Sequence, residues 1–193
     1  MSNRKGQIRQ DIRRQRRELD RQAKETMDRG IRERLSAAVQ ACQEGAVYLY
    51  ASARGEVDTW QWVCKLWEKG VLTAFPRVEG EEIRFYFASG MEDLAPGAMG
   101  ILEPLPGRCQ LALVTDAPVV TPGLAFSLKG DRVGYGKGYY DRFFLREPRH
   151  RRIGVAYPFQ IRDDLEPEVQ DQKIDEIVTP DGVFTCTHSQ GRL

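Results

Sequence analysis

Residues Arg132 to Asp141 read RVGYGKGYYD, and Gly134, Gly136 and Gly138 are separated there by single residues. A glycine at every second position lets the main chain take positive φ and removes the side chains that would hold a ligand off it. Successive amides in such a turn can form a concave nest of N–H donors suited to phosphate oxygens. Arg132 and Lys137 add two cations to the same stretch. A helix beginning at Tyr139 would aim its free N–H groups and the positive end of its dipole at the same anion. Asp141 brings a carboxylate of the kind that holds Mg²⁺ beside substrate phosphates. Together these residues predict a triphosphate site. The standard nucleotide motifs do not fit: Gly136-Lys137 is followed by Gly138 rather than Ser or Thr, and the last glycine of G-x-G-x-x-G is missing. A glycine-rich hairpin turn with no ligand is the alternative.

With Pro122-Gly123-Leu124-Ala125-Phe126 before it, the stretch resembles the signature of the 5-formyltetrahydrofolate cyclo-ligase family, P-G-[LV]-[AG]-F-D-x-x-G-x-R-[LV]-G-x-G-[KG]-G-Y-Y-D. Ser127 stands where the family carries Asp, so Ser127→Asp is expected to restore the family residue and leave a folded, active protein. The resemblance extends over nearly the whole chain. It implies an α/β fold, a three-layer Rossmann-like domain with a mainly parallel sheet. It also implies ATP-dependent conversion of 5-formyltetrahydrofolate to 5,10-methenyltetrahydrofolate, with ADP and phosphate released.

Site residues carry over from the same resemblance. The family opens with K-x-x-x-R, matched by Lys5 and Arg9, which bind ATP phosphate there. The remaining ATP contacts fall on Arg132, Val133, Gly134, Tyr135 and Gly136, then Lys137, Gly138, Tyr139 and Tyr140, with Arg132 and Lys137 given the catalytic part. Folate contacts fall on Ala51, Glu56, Met99, Tyr139 and Tyr140. The closing D-x-x-x-D-x-[IV]-[VL]-T pattern is matched by Asp171, Asp175 and the IVT that follows, and its metal role carries to Asp175, so Asp141 and Asp175 are the expected Mg²⁺ ligands. Taken from the residues alone, Glu56 reads as a solvent-facing loop acid and Met99 equally as a core filler.

These residues need a scaffold, and the composition permits one. A chain of 193 residues with 41% hydrophobic and 30% charged residues is long enough for one domain, residues 1–193, with a core that needs no staples. Cys42, Cys64, Cys109 and Cys186 are scattered and form no C-x-x-C pair, so they read as reduced thiols in a cytoplasmic protein rather than zinc ligands. No run of 18 apolar residues is present and the N-terminus has no apolar signal region, so no membrane partner is expected. The expected partners are the small molecules ATP and reduced folate, with no nucleic acid, and the chain is expected to be a monomer or weak homodimer. The net charge of +1 hides an asymmetry. Residues 1–34 hold twelve Lys and Arg against six acids, and residues 163–181 hold eight acids against Lys173.

The first segment reads as a helix whose apolar positions, Ile8, Ile12 and Leu19, are too sparse for a core element. Lys5, Arg9, Arg13 and Arg17 recur every four residues, as on a solvated face or an RNA-touching arm. A second helix runs from the N-cap Asp20 to about Gln43, with Ala23, Met27, Ile31, Leu35, Ala38 and Cys42 as its inward stripe. Residues 46–51 (AVYLYA) form a short buried strand, followed by a loop and a helix capped by Asp58. VLTAFPRV and IRFYFAS form a hairpin over 71–89, giving antiparallel pairing at one edge of the sheet. LALVTDAPVV is a buried strand, YYDRFF a helix and RRIGVAYP a strand. Two rival functions remain: a folate- or nucleotide-binding paralogue without turnover, and an RNA-binding protein that uses the basic first helix.

Overall fold

The computed structural model describes residues 3–40 and 45–188. In chain order it runs α1 (Asn3–Glu18), α2 (Arg21–Gln40), β1 (Ala46–Tyr48), α3 (Trp60–Glu68), β2 (Leu72–Glu79) and β3 (Glu82–Ala88). Then come β4 (Leu94–Pro96), β5 (Leu102–Pro104), β6 (Val119–Thr121), β7 (Ala125–Phe126) and β8 (Arg132–Val133). The chain continues with α4 (Tyr139–Arg146), β9 (Arg152–Val155), β10 (Glu176–Val178) and β11 (Val183–Thr185). Seven strands form one sheet in the order β11-β10-β9-β6-β1-β2-β3. Its five central strands are parallel, while β3 and β11 pair antiparallel at the two edges.

Alternation along the strands builds the three layers. Successive residues of a strand face opposite sides of the sheet. Val47 and Leu49 pack with Ile31, Leu35, Val63 and Leu66, so α2 and α3 cover one face. Ala46 and Tyr48 pack with Phe143 and Phe144, so α4 covers the other. Val120 and Val119 divide between the two faces in the same way. A continuous apolar run such as AVYLYA is what a strand buried on both sides requires.

Local signals hold where chemistry is local. Asp20 Oδ2 accepts the Ala23 amide at 2.9 Å at the start of α2, and Asp58 Oδ1 accepts the Trp60 amide at 2.9 Å at the start of α3. The hairpin over 71–89 forms with Phe75 opposite Tyr86. Three expectations change. Ala23 is exposed; Cys42 lies outside the described residues. Within LALVTDAPVV, Val119 and Val120 belong to β6 and Leu111 makes a single antiparallel bridge to Tyr86 of β3, while Leu113 between them is 75% exposed. Finally, α1 is a packed element. Ile8 and Ile12 are buried against Leu124, Ala125 and Val133 of the small β7–β8 hairpin, so two isoleucines one turn apart dock a helix that is otherwise charged.

The charge asymmetry has a structural cause. Arg4 pairs with Asp164, Lys5 with Glu168 and Asp171, and Arg162 with Asp11. Arg4 and Lys5 of the basic helix thus meet Asp164, Glu168 and Asp171 of the acidic segment.

The turn between β7 and β8 shows how Ser127 is accommodated. Ser127 Oγ donates to Asp131 Oδ2 at 2.7 Å and accepts the Asp131 amide at 3.1 Å, both residues are buried, and Lys173 pairs with the Asp131 carboxylate. Here the acid enters the turn from position 131. Ser127→Asp would set a second carboxylate against it away from water, where like charges and burial both oppose ionisation. The expected result reverses that drawn from the resemblance: a loss of roughly 1–3 kcal/mol, read as a thermal midpoint lower by several degrees. An unchanged midpoint would show that the turn accepts both acids.

Candidate active site

A cavity of about 670 Å³ opens beyond the carboxyl ends of β1 and β6. From β1 the chain crosses to β2 on one side, and the strand following β6 in the main sheet, β9, lies on the other. Such a switch in direction leaves a crevice at the strand ends, the usual ligand position in open α/β sheets.

One wall is the glycine loop. Gly136 has φ 98° and Gly138 has φ 68°, backbone values that side-chain-bearing residues rarely adopt. Gly138 sits at the N-cap of α4, so the loop runs directly into the helix start. Helix α1 lies beside it. Lys5 and Arg9 are four residues apart and share a face; Arg9 Nε donates to the Gly134 carbonyl at 2.9 Å, while Lys5 Nζ meets Asp171 Oδ2 at 2.7 Å and Glu168 Oε1 at 3.2 Å.

Arg132 comes up from β8 and is buried. Its Nη2 donates to Asp141 Oδ1 in the first turn of α4 at 3.0 Å, and its guanidinium lies 5.6 Å from the centre of the Tyr140 ring. Arg132 Nε and the Tyr140 hydroxyl are buried without a hydrogen-bond partner. Buried polar atoms are rarely left so, and both residues line the cavity. Burial also pushes the Tyr140 phenol well above its ordinary range, with the Glu56 charge adding to the rise, so it stays a neutral donor.

Across the cavity is the loop that follows β1. Glu56 is buried; its Oε2 accepts the Ala53 amide at 2.9 Å and its Oε1 accepts the Tyr135 hydroxyl at 2.5 Å. Burial raises the Glu56 pKa, opposed by those two hydrogen bonds and by Arg16. It is therefore no solvent-facing loop acid. Ala51 lines the same wall, and Met99 lines the mouth, 52% exposed and so no core filler. Arg54 (φ 52°) and Met99 (φ 57°) both adopt left-handed backbone, and Arg54 Nη2 donates to the Met99 carbonyl at 2.5 Å. Val133, Lys137 and Tyr139 complete the lining among the residues expected there.

Only Asp175 stays out of the cavity. Its Oδ2 accepts the Arg152 amide at 2.8 Å and its Oδ1 faces His188 at 3.5 Å, which ties it to the far end of β9. The acid that reaches the cavity is Asp171, the first aspartate of the D-x-x-x-D pattern. Asp141 Oδ1 accepts the Gln172 amide at 3.2 Å, which brings residues 171–172 onto the start of α4. Residues 170–175 are irregular rather than helical, so a shift of four positions leads out of the cavity instead of along one face. Sequence reasoning also missed Arg16, since nothing in a basic helix distinguishes a buried arginine from its exposed neighbours.

Comparison with known proteins gives a consistent result. Residues 1–180 match the model of the 5-formyltetrahydrofolate cyclo-ligase family. The mitochondrial 5-formyltetrahydrofolate cyclo-ligase of Arabidopsis thaliana is 28% identical over 93% of this chain and 75% of its own length. The 5-formyltetrahydrofolate cyclo-ligase of Escherichia coli (strain K12) is 27% identical over 90% of this chain and 98% of its own. The NMR structure of Aquifex aeolicus 5,10-methenyltetrahydrofolate synthetase superposes with a TM-score of 0.83 at 31% identity, covering 95% of this chain and 93% of that one. A match spanning almost the full sequence, on the same fold and with the glycine loop lining the cavity, means that this chain belongs to the 5-formyltetrahydrofolate cyclo-ligase family.

Proposed function

We propose that this chain is an ATP-dependent ligase that cyclises 5-formyltetrahydrofolate to 5,10-methenyltetrahydrofolate, releasing ADP and phosphate. The observation that carries the reading is the convergence, in one cavity, of the α1 cations, the glycine loop, the Arg132–Asp141 pair and the buried Glu56. The formyl oxygen of an N-formyl group is an amide oxygen and leaves poorly. Transfer of the γ-phosphoryl group to it gives an iminium phosphate; N10 of the folate then attacks the formyl carbon, and the phosphate departs with that oxygen, taking up the N10 proton as the ring closes.

Phosphoryl transfer asks the protein mainly for in-line positioning and for neutralisation of spread charge. Lys5, Arg9, Arg132 and Lys137 are the cations assigned to the triphosphate, with the amides of the Gly134–Gly138 loop. Glu56 and Ala51 face the folate, with Met99 and Tyr139 at the mouth. No protein nucleophile is required.

Asp141 and Asp171 are hard oxygen donors with side chains 19% exposed, each held by a cation of the same cavity. Mg²⁺ is commonly bound by one or two carboxylates plus substrate phosphates rather than by a complete protein cage. That habit accords with the lack of any preformed group of three or more His, Cys, Asp or Glu able to hold a metal among the described residues. The donor set fits Mg²⁺, with Asp141 and Asp171 as its ligands. When bound, the ion would neutralise charge on the transferring phosphate.

Of the basic stripe on the first helix, Lys5 and Arg9 make contacts within the chain while Arg13 and Arg17 are exposed, so the RNA-arm reading keeps only half of its cations. Among the described residues no helix is long and apolar enough to cross a membrane. The reading places the protein in the cytoplasm, as a monomer or weak homodimer.

The test is absorbance of the methenyl product formed from 5-formyltetrahydrofolate. Product is expected only with both ATP and a divalent ion present. Full-rate formation in EDTA would remove the metal from the scheme, and no product under complete conditions would favour a binding paralogue.

A further inference from the structure

Helix α1 touches the glycine loop twice. Arg9 Nε donates to the Gly134 carbonyl at 2.9 Å, and two turns further along Arg16 Nη1 donates to the Tyr135 hydroxyl at 2.7 Å. Arg16 is anchored by its other nitrogen, Nη2, which donates to the Gly123 carbonyl at 2.7 Å; the side chain is 8% exposed. The Tyr135 hydroxyl then donates to Glu56 Oε1 at 2.5 Å. Three segments far apart in sequence thus meet at one phenol: the helix carrying Lys5 and Arg9, the loop assigned to the triphosphate, and the acid assigned to the folate.

This chain of bonds is held firmly at both ends. The Gly123 carbonyl that anchors Arg16 also accepts the Gln160 side-chain amide at 2.9 Å. On the other side, Glu56 Oε2 accepts the Ala53 amide, and the Glu56 carbonyl oxygen lies 3.1 Å from the Tyr157 hydroxyl oxygen. Tyr157 in turn reaches Asp28, buried on α2, at 2.7 Å. The glycine loop lies between these fixed points, with positive φ at Gly136 and Gly138. Tyr135 sits between Gly134 and Gly136, so any displacement of the loop carries its hydroxyl toward or away from Glu56.

We propose that Arg16 and Tyr135 are positioning residues that make nucleotide and folate binding cooperative, through the bond from Tyr135 to Glu56. The proposal rests on the assignment of ATP to the glycine loop and of folate to Glu56. A triphosphate engaging Lys5, Arg9 and the loop amides fixes the loop, and so fixes the hydroxyl that orients the Glu56 carboxylate. Coupling between two ligands is reciprocal: each must strengthen the other by the same factor, commonly about 5–150-fold.

The experiment is calorimetric titration of 5-formyltetrahydrofolate, with and without a saturating non-hydrolysable ATP analogue, and the converse titration. In the wild type each ligand is expected to tighten the other by the same several-fold ratio. Tyr135→Phe keeps the ring and removes only the hydroxyl; the ratio is expected to fall toward one while both ligands still bind. Arg16→Gln, read by the same ratio, should do likewise. Val78→Ala, which trims the cavity wall outside this chain of bonds, should keep the wild-type ratio, which a general loosening of the site would not. Independent binding of the two ligands in the wild type, or full coupling retained in Tyr135→Phe, overturns the proposal while leaving the ligase reading intact. Failure of the wild type to bind either ligand overturns both.

Discussion

Gly136→Val is expected to give a folded protein that has lost at least several-fold in turnover or apparent ATP affinity. Gly136 holds φ 98° between Tyr135 and Lys137. Valine is stiff at χ1 and disfavours positive φ, and a residue forced into such a region costs about 1–3 kcal/mol. The loop can avoid that strain only by rotating, which turns Tyr135 away from Glu56 and Lys137 away from the cavity. At ~1.4 kcal/mol per tenfold, either strain or displacement gives a readily measured loss. Steady-state kinetics, with circular dichroism as the check on folding, decide the matter. A folded variant with unaltered kinetics would reduce the glycines to a turn and remove the phosphate from this loop.

Arg132→Met is expected to cost more. It removes the buried guanidinium that bonds Asp141 at 3.0 Å and lies over Tyr140. Loss of one preorganised donor to developing transition-state charge commonly lowers kcat by about 10²–10³-fold. Methionine retains most of the apolar stem, so packing against the β7–β8 hairpin is largely kept. Stability should still fall, because Asp141 loses its cation in a partly buried place. Arg132→Lys should not restore activity: an ammonium cannot bond Asp141 and keep a second planar donor for a ligand at once. A lysine variant with near wild-type kcat would mean that charge alone matters at this position. A methionine variant with near wild-type kcat would exclude Arg132 from phosphoryl transfer altogether.

What the chain determines locally, its sequence states openly. The alternating glycines specify a loop with positive φ at Gly136 and Gly138. The stripe through Ile31, Leu35 and Ala38 specifies a helix face. The run through Val47 and Leu49 specifies a strand covered on both sides, and Asp20 and Asp58 mark helix starts within three residues of themselves. Each of these rests on periodicity or on hydrogen bonds between near neighbours, so it leaves a trace in the order of residues. The candidate site is legible to the same extent, because its glycine-loop wall is one continuous segment. Long-range pairing decided the rest. Lys5 finds Asp171 across 166 positions, Arg16 finds Tyr135 across 119, and Tyr135 finds Glu56 across 79. No period in the sequence encodes such a meeting. Burial turned a loop acid into a hydrogen-bonded carboxylate at Glu56, and turned a basic helix into a packed wall once Ile8 and Ile12 found the β7–β8 hairpin. Which of Asp171 and Asp175 lines the cavity was decided by the irregular path of the backbone. Two aspartates four apart would share a face only on a helix, and here no helix forms.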